Sequence, residues 1–320
     1  MTDRESIYIA GFEARPGRKT KIEAPVARLM SGTPVALPLL ILHGRREGPT
    51  IWLSAAIHGD EVVGVEIIRR ITTTLDPKTM AGTVIAAPVV NVHGFNTGDR
   101  YFPDRRDLNR SFPGSRRGSL ASRVAHLMMT EVVSRCELGI DLHTGSDHRT
   151  NLPQIRADLD HPETLEMAKV FSAPVIVHAR LRDGSLRQAA TEAGAKVLLY
   201  EAGEAHRFDA RAISTGADGV HRVISHLGIA DHPVPTGSSP PQLTRRTKWA
   251  RAPRSGVLHL DADLGANVSA GTQIASIYDT YGKRLSRVTT RTEGLVIGHT
   301  QRPLVNRGDA IINLADTATD

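Results

Sequence analysis

The sequence predicts an α/β protein with a mixed, mostly parallel sheet, followed by a small all-β unit. Three observations support this. Short apolar runs alternate with segments of helical periodicity through the first 230 residues. A stretch rich in Pro, Ser and Gly, HPVPTGSSPPQLTRRTK, starts at His232. Beyond it, two similar glycine-led β units follow one another.

The runs LPLLILHG (37–44), TIWLSAAI (50–57) and GTVIAAPVV (82–90) read as strands. So do LGIDL (138–142), PVIVH (174–178) and AKVLLYE (195–201). Each is continuously apolar rather than alternating, as a strand covered by helices on both faces must be. Between them, 61–75 places Val65, Ile68, Ile71 and Leu75 at helical spacing. The segment 119–135 carries a stripe of Leu120, Val124, Leu127, Met128 and Val132. A third helix is expected from a Ser185 cap to Gly194.

The repeated units are GVLHLDADLGANVSAGTQIASI from Gly256 and GLVIGHTQRPLVNRGDAIINL from Gly294. They resemble the two halves of a barrel-sandwich hybrid, the biotinyl/lipoyl type. Carrier members of that family present a lysine, usually flanked by Met, between the halves. Here the connection DTYGKRLSRVTTRTE holds Lys283 without such flanks, which points to a structural or interaction role. The expected division is 1–230 for the α/β domain, 231–250 for a linker and 251–320 for the β-rich domain.

A chain of 320 residues with 40% apolar and 23% charged content suits a folded globular protein. No apolar run reaches the roughly 18 residues a membrane span needs. MTDRESIYIAGFEARPGRK at the N-terminus has no apolar core behind a basic start, and Cys136 is the single cysteine. Both predict a cytoplasmic protein. The net charge of +6 is compatible with anionic partners, but the basic residues are spread out and only 4% of residues are aromatic. Neither nucleic acid nor a membrane is therefore an expected partner. Association into a homo-oligomer is left open.

The chemistry gathers where strands end, the place ligands occupy in open α/β sheets. His58 and Glu61 follow the 50–57 run, His143 follows LGIDL, and Glu201 closes AKVLLYE. Two imidazoles and one carboxylate at His58, Glu61 and His143 make a three-ligand set with room for water, the pattern of a catalytic zinc centre. Asp141 either faces away or accepts a hydrogen bond from a ligand. The loop GDRYFPDRRDLNRSFPGS (98–115) offers guanidinium and amide donors suited to a carboxylate or an oxyanion.

HGDE, RDLNRSFPG, DLHTGS and YEAGE, in that order, resemble the succinylglutamate desuccinylase/aspartoacylase family across about 41–228. The resemblance implies a zinc carboxypeptidase-like three-layer fold with one zinc per chain. It matches His58, Glu61 and His143 to the metal ligands and Glu201 to the catalytic glutamate. Asn109 and Arg110 match residues that hold the substrate carboxylate. Arg100, Arg105 and Arg106 compete to polarise the scissile carbonyl, with Arg100 chosen and Arg106 kept as a substrate contact. Arg187 is a second candidate substrate arginine.

Behind the metal strand, Arg149, Asn151 and Arg156 form either an acyl-group pocket or a salt-bridged loop. His206 is either a substrate contact or an exposed cap. The expected activity is hydrolysis of a small N-acyl amino acid by metal-activated water, with Glu201 as general base. The alternatives are a metallocarboxypeptidase, a murein-peptide amidase or a non-enzymatic binding module.

Overall fold

A computed structural model describes residues 4–234 and 240–316. Residues 235–239 of the expected linker lie outside the described residues. The main sheet runs, in spatial order, through Arg18–Arg28, Pro34–His43, Ala81–Ala87, Arg46–Ala55, Leu138–Gly145, Lys196–Glu204 and Arg149–Ala157. The four central strands from Ala81–Ala87 to Lys196–Glu204 are parallel to one another. The flanking pairs are antiparallel, so the sheet is mixed with a parallel centre.

Helices cover both faces, which explains the unbroken apolar runs. Leu53 and Ile140 pack on one side against Ile67, Val220 and Phe171 from the helices Val63–Thr74, Ala210–His226 and Pro162–Phe171. Trp52 and Ile85 pack on the other with Val124 from Leu120–Leu127 and Ala189 from Leu186–Glu192. Successive residues of one strand therefore enter opposite cores. The segment expected as one helix over 119–135 is α-helical only over Leu120–Leu127, then winds through a π turn and a 3₁₀ turn to Arg135.

The segment after the metal strand, read as either an acyl-group pocket or a salt-bridged loop, forms the strand Arg149–Ala157. Pro153, which has no N–H to donate, sits in a bulge of its own strand, where Leu152 and Pro153 face the single residue Ala202, and so escapes the ladder. The outer edge of Arg149–Ala157 pairs with Gly294–Thr300, and the sheet continues through Ala310–Ala315 to Thr247–Arg251. A separate antiparallel sheet of Gly256–Leu260, Gln273–Tyr278, Arg284–Thr289 and Leu304–Val305 packs with these strands around Ile274, Ile277 and Ile311. Within 231–250, Gln242–Thr244 adds a parallel strand to Val175–His178.

Candidate metal centre and substrate cleft

The strand Arg46–Ala55 delivers the first ligand. Ala56 takes a left-handed φ of +49°, an uncommon geometry for alanine, and the chain turns there into HGDE. Gly59 lets this turn lie against the backbone at Gly94, where a Cβ would come within 2.0 Å of the Gly94 carbonyl carbon. The Glu61 N–H donates to the His58 carbonyl at 3.1 Å, closing the turn. His143 arrives from the neighbouring parallel strand.

The three side chains meet, each almost fully buried. His58 Nδ1 lies 2.8 Å from Glu61 Oε1, and His143 Nδ1 lies 2.8 Å from Glu61 Oε2. The Thr144 N–H adds a 3.1 Å donation to Oε2. Behind the rings stand two further carboxylates. His143 Nε2 faces Asp141 Oδ2 at 2.8 Å, and Asp141 Oδ1 accepts from Ser54 Oγ at 2.7 Å. His58 Nε2 faces Asp107 Oδ1 at 3.2 Å. Arg100 Nη1 donates to Glu61 Oε1 at 3.0 Å, and Nη2 lies 3.6 Å from Asp107 Oδ2.

These residues fit a divalent ion. Asp141 and Asp107 take the Nε2–H groups, so both Nδ1 lone pairs turn toward the Glu61 oxygens. Lone pairs facing carboxylate oxygens at this range require a cation between them, either a proton or a metal. Donor atoms of all three ligands lie within 4.8 Å of one another, and two nitrogens with one oxygen suit zinc. Without an ion, protons take the cation's place. Burial pulls His58 and His143 down, but facing carboxylates override it, raising His58 and raising His143 well above the ordinary imidazole range. Burial pushes Glu61 up, yet the two imidazoles hold it well below the usual carboxylate range. Burial likewise opposes ionisation of Asp107, and His58 and Arg100 hold it at about 2.

The ligands line the floor of a cleft of about 380 Å³. Arg100, Arg110, Arg156, Arg180, Arg182 and Arg187 line it, against the carboxylates of Glu61 and Glu201. Glu201 pairs in register with His143 on the adjacent strand. Its Oε2 accepts from Asn151 Nδ2 at 3.2 Å and lies 3.9 Å from Arg156 Nη1. Asn109 is buried, and its Oδ1 accepts from the Leu186 N–H at 2.9 Å. The Arg110 guanidinium folds back onto the Asn109 carbonyl. Arg187 is buried and donates to the carbonyls of Ala179 at 2.7 Å and Arg180 at 2.6 Å.

Two expected contacts lie elsewhere. Arg106 is exposed and pairs with Asp104 at 3.2 Å, outside the cleft lining. Arg149 stacks over the Trp249 ring at 5.0 Å and lines a different hollow. His206 is exposed beside Gly98. Reasoning on sequence missed Asp107, Arg180, Arg182 and His178, all at or next to the site. Asp107 directly precedes Leu108 and Asn109 in the 98–115 loop, whereas the loop after Val175–His178 carries no comparable sequence signal.

The model of the succinylglutamate desuccinylase/aspartoacylase catalytic domain matches residues 47–227. An N-α-acetyl-L-2,4-diaminobutyric acid deacetylase of Halomonas elongata is 28% identical over 295 residues, covering 88% of this chain and 86% of that protein. A succinylglutamate desuccinylase of Pseudomonas aeruginosa is 32% identical over 43% of each chain. Among solved structures, the product-bound ectoine utilization protein of Ruegeria pomeroyi superposes with a TM-score of 0.83 at 25% identity, covering 94% of this chain and 95% of that one. A succinylglutamate desuccinylase/aspartoacylase structure from Rhodobacter sphaeroides gives 0.82 at 26% identity, with the same coverage. Taken with the site above, these matches establish that the chain belongs to the succinylglutamate desuccinylase/aspartoacylase family.

Proposed function

We propose that the protein is a zinc-dependent hydrolase, with one ion per chain, that cleaves the amide bond of a small N-acyl amino acid. The observation that carries the reading is a single cleft holding a two-His, one-Glu ligand set, a separate glutamate and six arginines. His58, Glu61 and His143 would hold the ion, which when bound supplies Lewis acidity that eases deprotonation of water and polarises a carbonyl.

The chain's own residues do the rest. Glu201 accepts the proton of the attacking water and returns it to the leaving amine. Arg100 stands at the ligands with its guanidinium at the cleft and offers donors to the developing oxyanion. Asn109 and Arg110 hold a substrate carboxylate and fix the direction of approach. With six arginines against two carboxylates, the lining favours an acidic acyl amino acid over one with a cationic side chain. We assign the enzyme to the cytoplasm on its single cysteine, which is half-buried and whose thiol burial pushes up.

Metal analysis coupled to a hydrolysis screen tests this. The screen spans N-acetyl and N-succinyl amino acids, N-α-acetyl-2,4-diaminobutyrate and short peptides. Acyl amino acids should be cleaved and peptides spared; the reverse would favour a carboxypeptidase or murein-peptide amidase. Glu201→Gln should keep the metal and lose turnover, and native-rate turnover in that variant would overturn the general-base role.

A further inference from the structure

The bond from Asn151 to Glu201 joins the cleft to a distant part of the chain. Asn151 lies on Arg149–Ala157, whose inner edge pairs with Lys196–Glu204 and whose outer edge pairs with Gly294–Thr300 of the C-terminal β unit. Asn151 is in register with Gly203 on one side and Gly298 on the other. A carboxylate only accepts, so the group facing Glu201 Oε2 at 3.2 Å is the amide Nδ2–H₂.

Three features aim Glu201 at the cleft. The ladder is irregular just after Glu201 on both sides, between Glu201 and Glu204 against Leu138–Gly145 and between Glu201 and Gly203 against Arg149–Ala157, a device that redirects a side chain. Both recorded polar contacts of its carboxylate, Asn151 and Arg156, fall on Oε2, which leaves Oε1 for the proton.

The third feature is the glycine opposite. A Cβ at Gly298 would stand 2.7 Å from Asn151 Oδ1 and 3.3 Å from the Thr150 carbonyl. The side chain of Asn151 occupies the space that the missing Cβ vacates, and that pose brings its amide to Glu201. Any larger residue at 298 pushes the carboxamide away.

We propose that Asn151 is a positioning residue for the general base, and that Gly298 of the C-terminal β unit sets its pose. The β unit thereby acts on catalysis through one hydrogen bond without supplying a side chain to the reaction. This rests on the proposed role of Glu201. It also separates Asn151 from Arg149, its neighbour in sequence, which stacks on Trp249 away from the cleft.

Asn151→Asp keeps shape and volume but removes the donor, so it spares packing while breaking the contact. Asn151→Ala removes both, and Gly298→Ala displaces the carboxamide from the far side. With the N-acyl amino acid hydrolysed fastest in the screen, kcat should fall about tenfold or more in both Asn151 variants, because small misplacements of a reacting group are costly. KM should change by less than about twofold, since no substrate contact is lost. Gly298→Ala should move kcat in the same direction, and zinc content should match the parent.

Crystal structures of the zinc-loaded variants give a readout without substrate: the Glu201 carboxylate should leave its parent rotamer. Native kcat in Asn151→Asp, or an unmoved Glu201 in the variant structures, would overturn the positioning role. Native turnover in Glu201→Gln would instead remove the general-base reading beneath it, so the two failures are separable.

Discussion

His143 and Asp141 stand two residues apart on one strand and project from the same face, with Nε2 and Oδ2 2.8 Å apart. Asp141 therefore holds the imidazole of a candidate ligand, and Ser54 holds Asp141 in turn at 2.7 Å. Losing the anionic acceptor should weaken the metal rather than unfold the sheet. Asp141→Asn is expected to lower zinc affinity by about 10- to 100-fold, measured by competition with a chromophoric chelator. Unchanged affinity would show that the hydrogen bond does not orient the ligand.

Arg187 connects the cleft wall to the loop beyond Val175–His178. Burial lowers it to about 10, so the guanidinium stays charged at neutral pH while donating to the carbonyls of Ala179 and Arg180. Arg187→Leu leaves both carbonyls without their donors and frees the segment that carries Arg180 and Arg182. Thermal unfolding should show a loss of about 3–6 kcal/mol, from two missing bonds to a charged group. KM should rise with it. Native stability in that variant would show that the loop is held by other contacts.

His221 sets a pH dependence of folding. It is buried on the helix Ala210–His226, stacks on His232 at 3.6 Å and contacts Thr74 Oγ1 at 3.3 Å. Burial, then the His232 charge, lower it to about 4. The unfolded imidazole takes up its proton near pH 6.5 and the folded one only near 4. Its contribution is thus full above about 6.5 and is lost as pH falls toward 4. His221→Gln should flatten this limb of the melting-temperature profile. An identical slope in the variant would place the acid sensitivity elsewhere.

The arginine-lined cleft should respond to salt. For an anionic acyl amino acid, kcat/KM should fall several-fold from low to high ionic strength, as screening weakens attraction to the six guanidinium groups. Sulfate should compete with substrate. Salt-independent kcat/KM would mean that these arginines do not attract the substrate.

The parts legible in the sequence were those in which one strand or one turn carries the signal. The covered strands show as unbroken apolar runs because Leu53 and Trp52 must satisfy two cores at once. His58 and Glu61 are visible because an imidazole and a carboxylate interrupt such a run. The strand Arg149–Ala157 was hidden by Pro153 and by polar residues that face the cleft and the Trp249 ring. Ala210–His226 was hidden because Gly216, Gly219 and several charged residues dilute its stripe of Ile213, Val220, Val223 and Ile224. Asp209 caps it, accepting from the Ala212 N–H at 2.9 Å, a single-residue signal too common to decide alone. The pairing of Asn151 with Gly298 is set by tertiary register between distant segments, which no local pattern encodes.

The most direct test is anomalous diffraction at the zinc edge from crystals of the purified protein, with zinc quantified in the same preparation. One ion per chain, with His58, Glu61 and His143 at about 2.0–2.2 Å, is the predicted result. Stoichiometric zinc bound at other residues, or a zinc-supplied protein with no ion among these three, would contradict it.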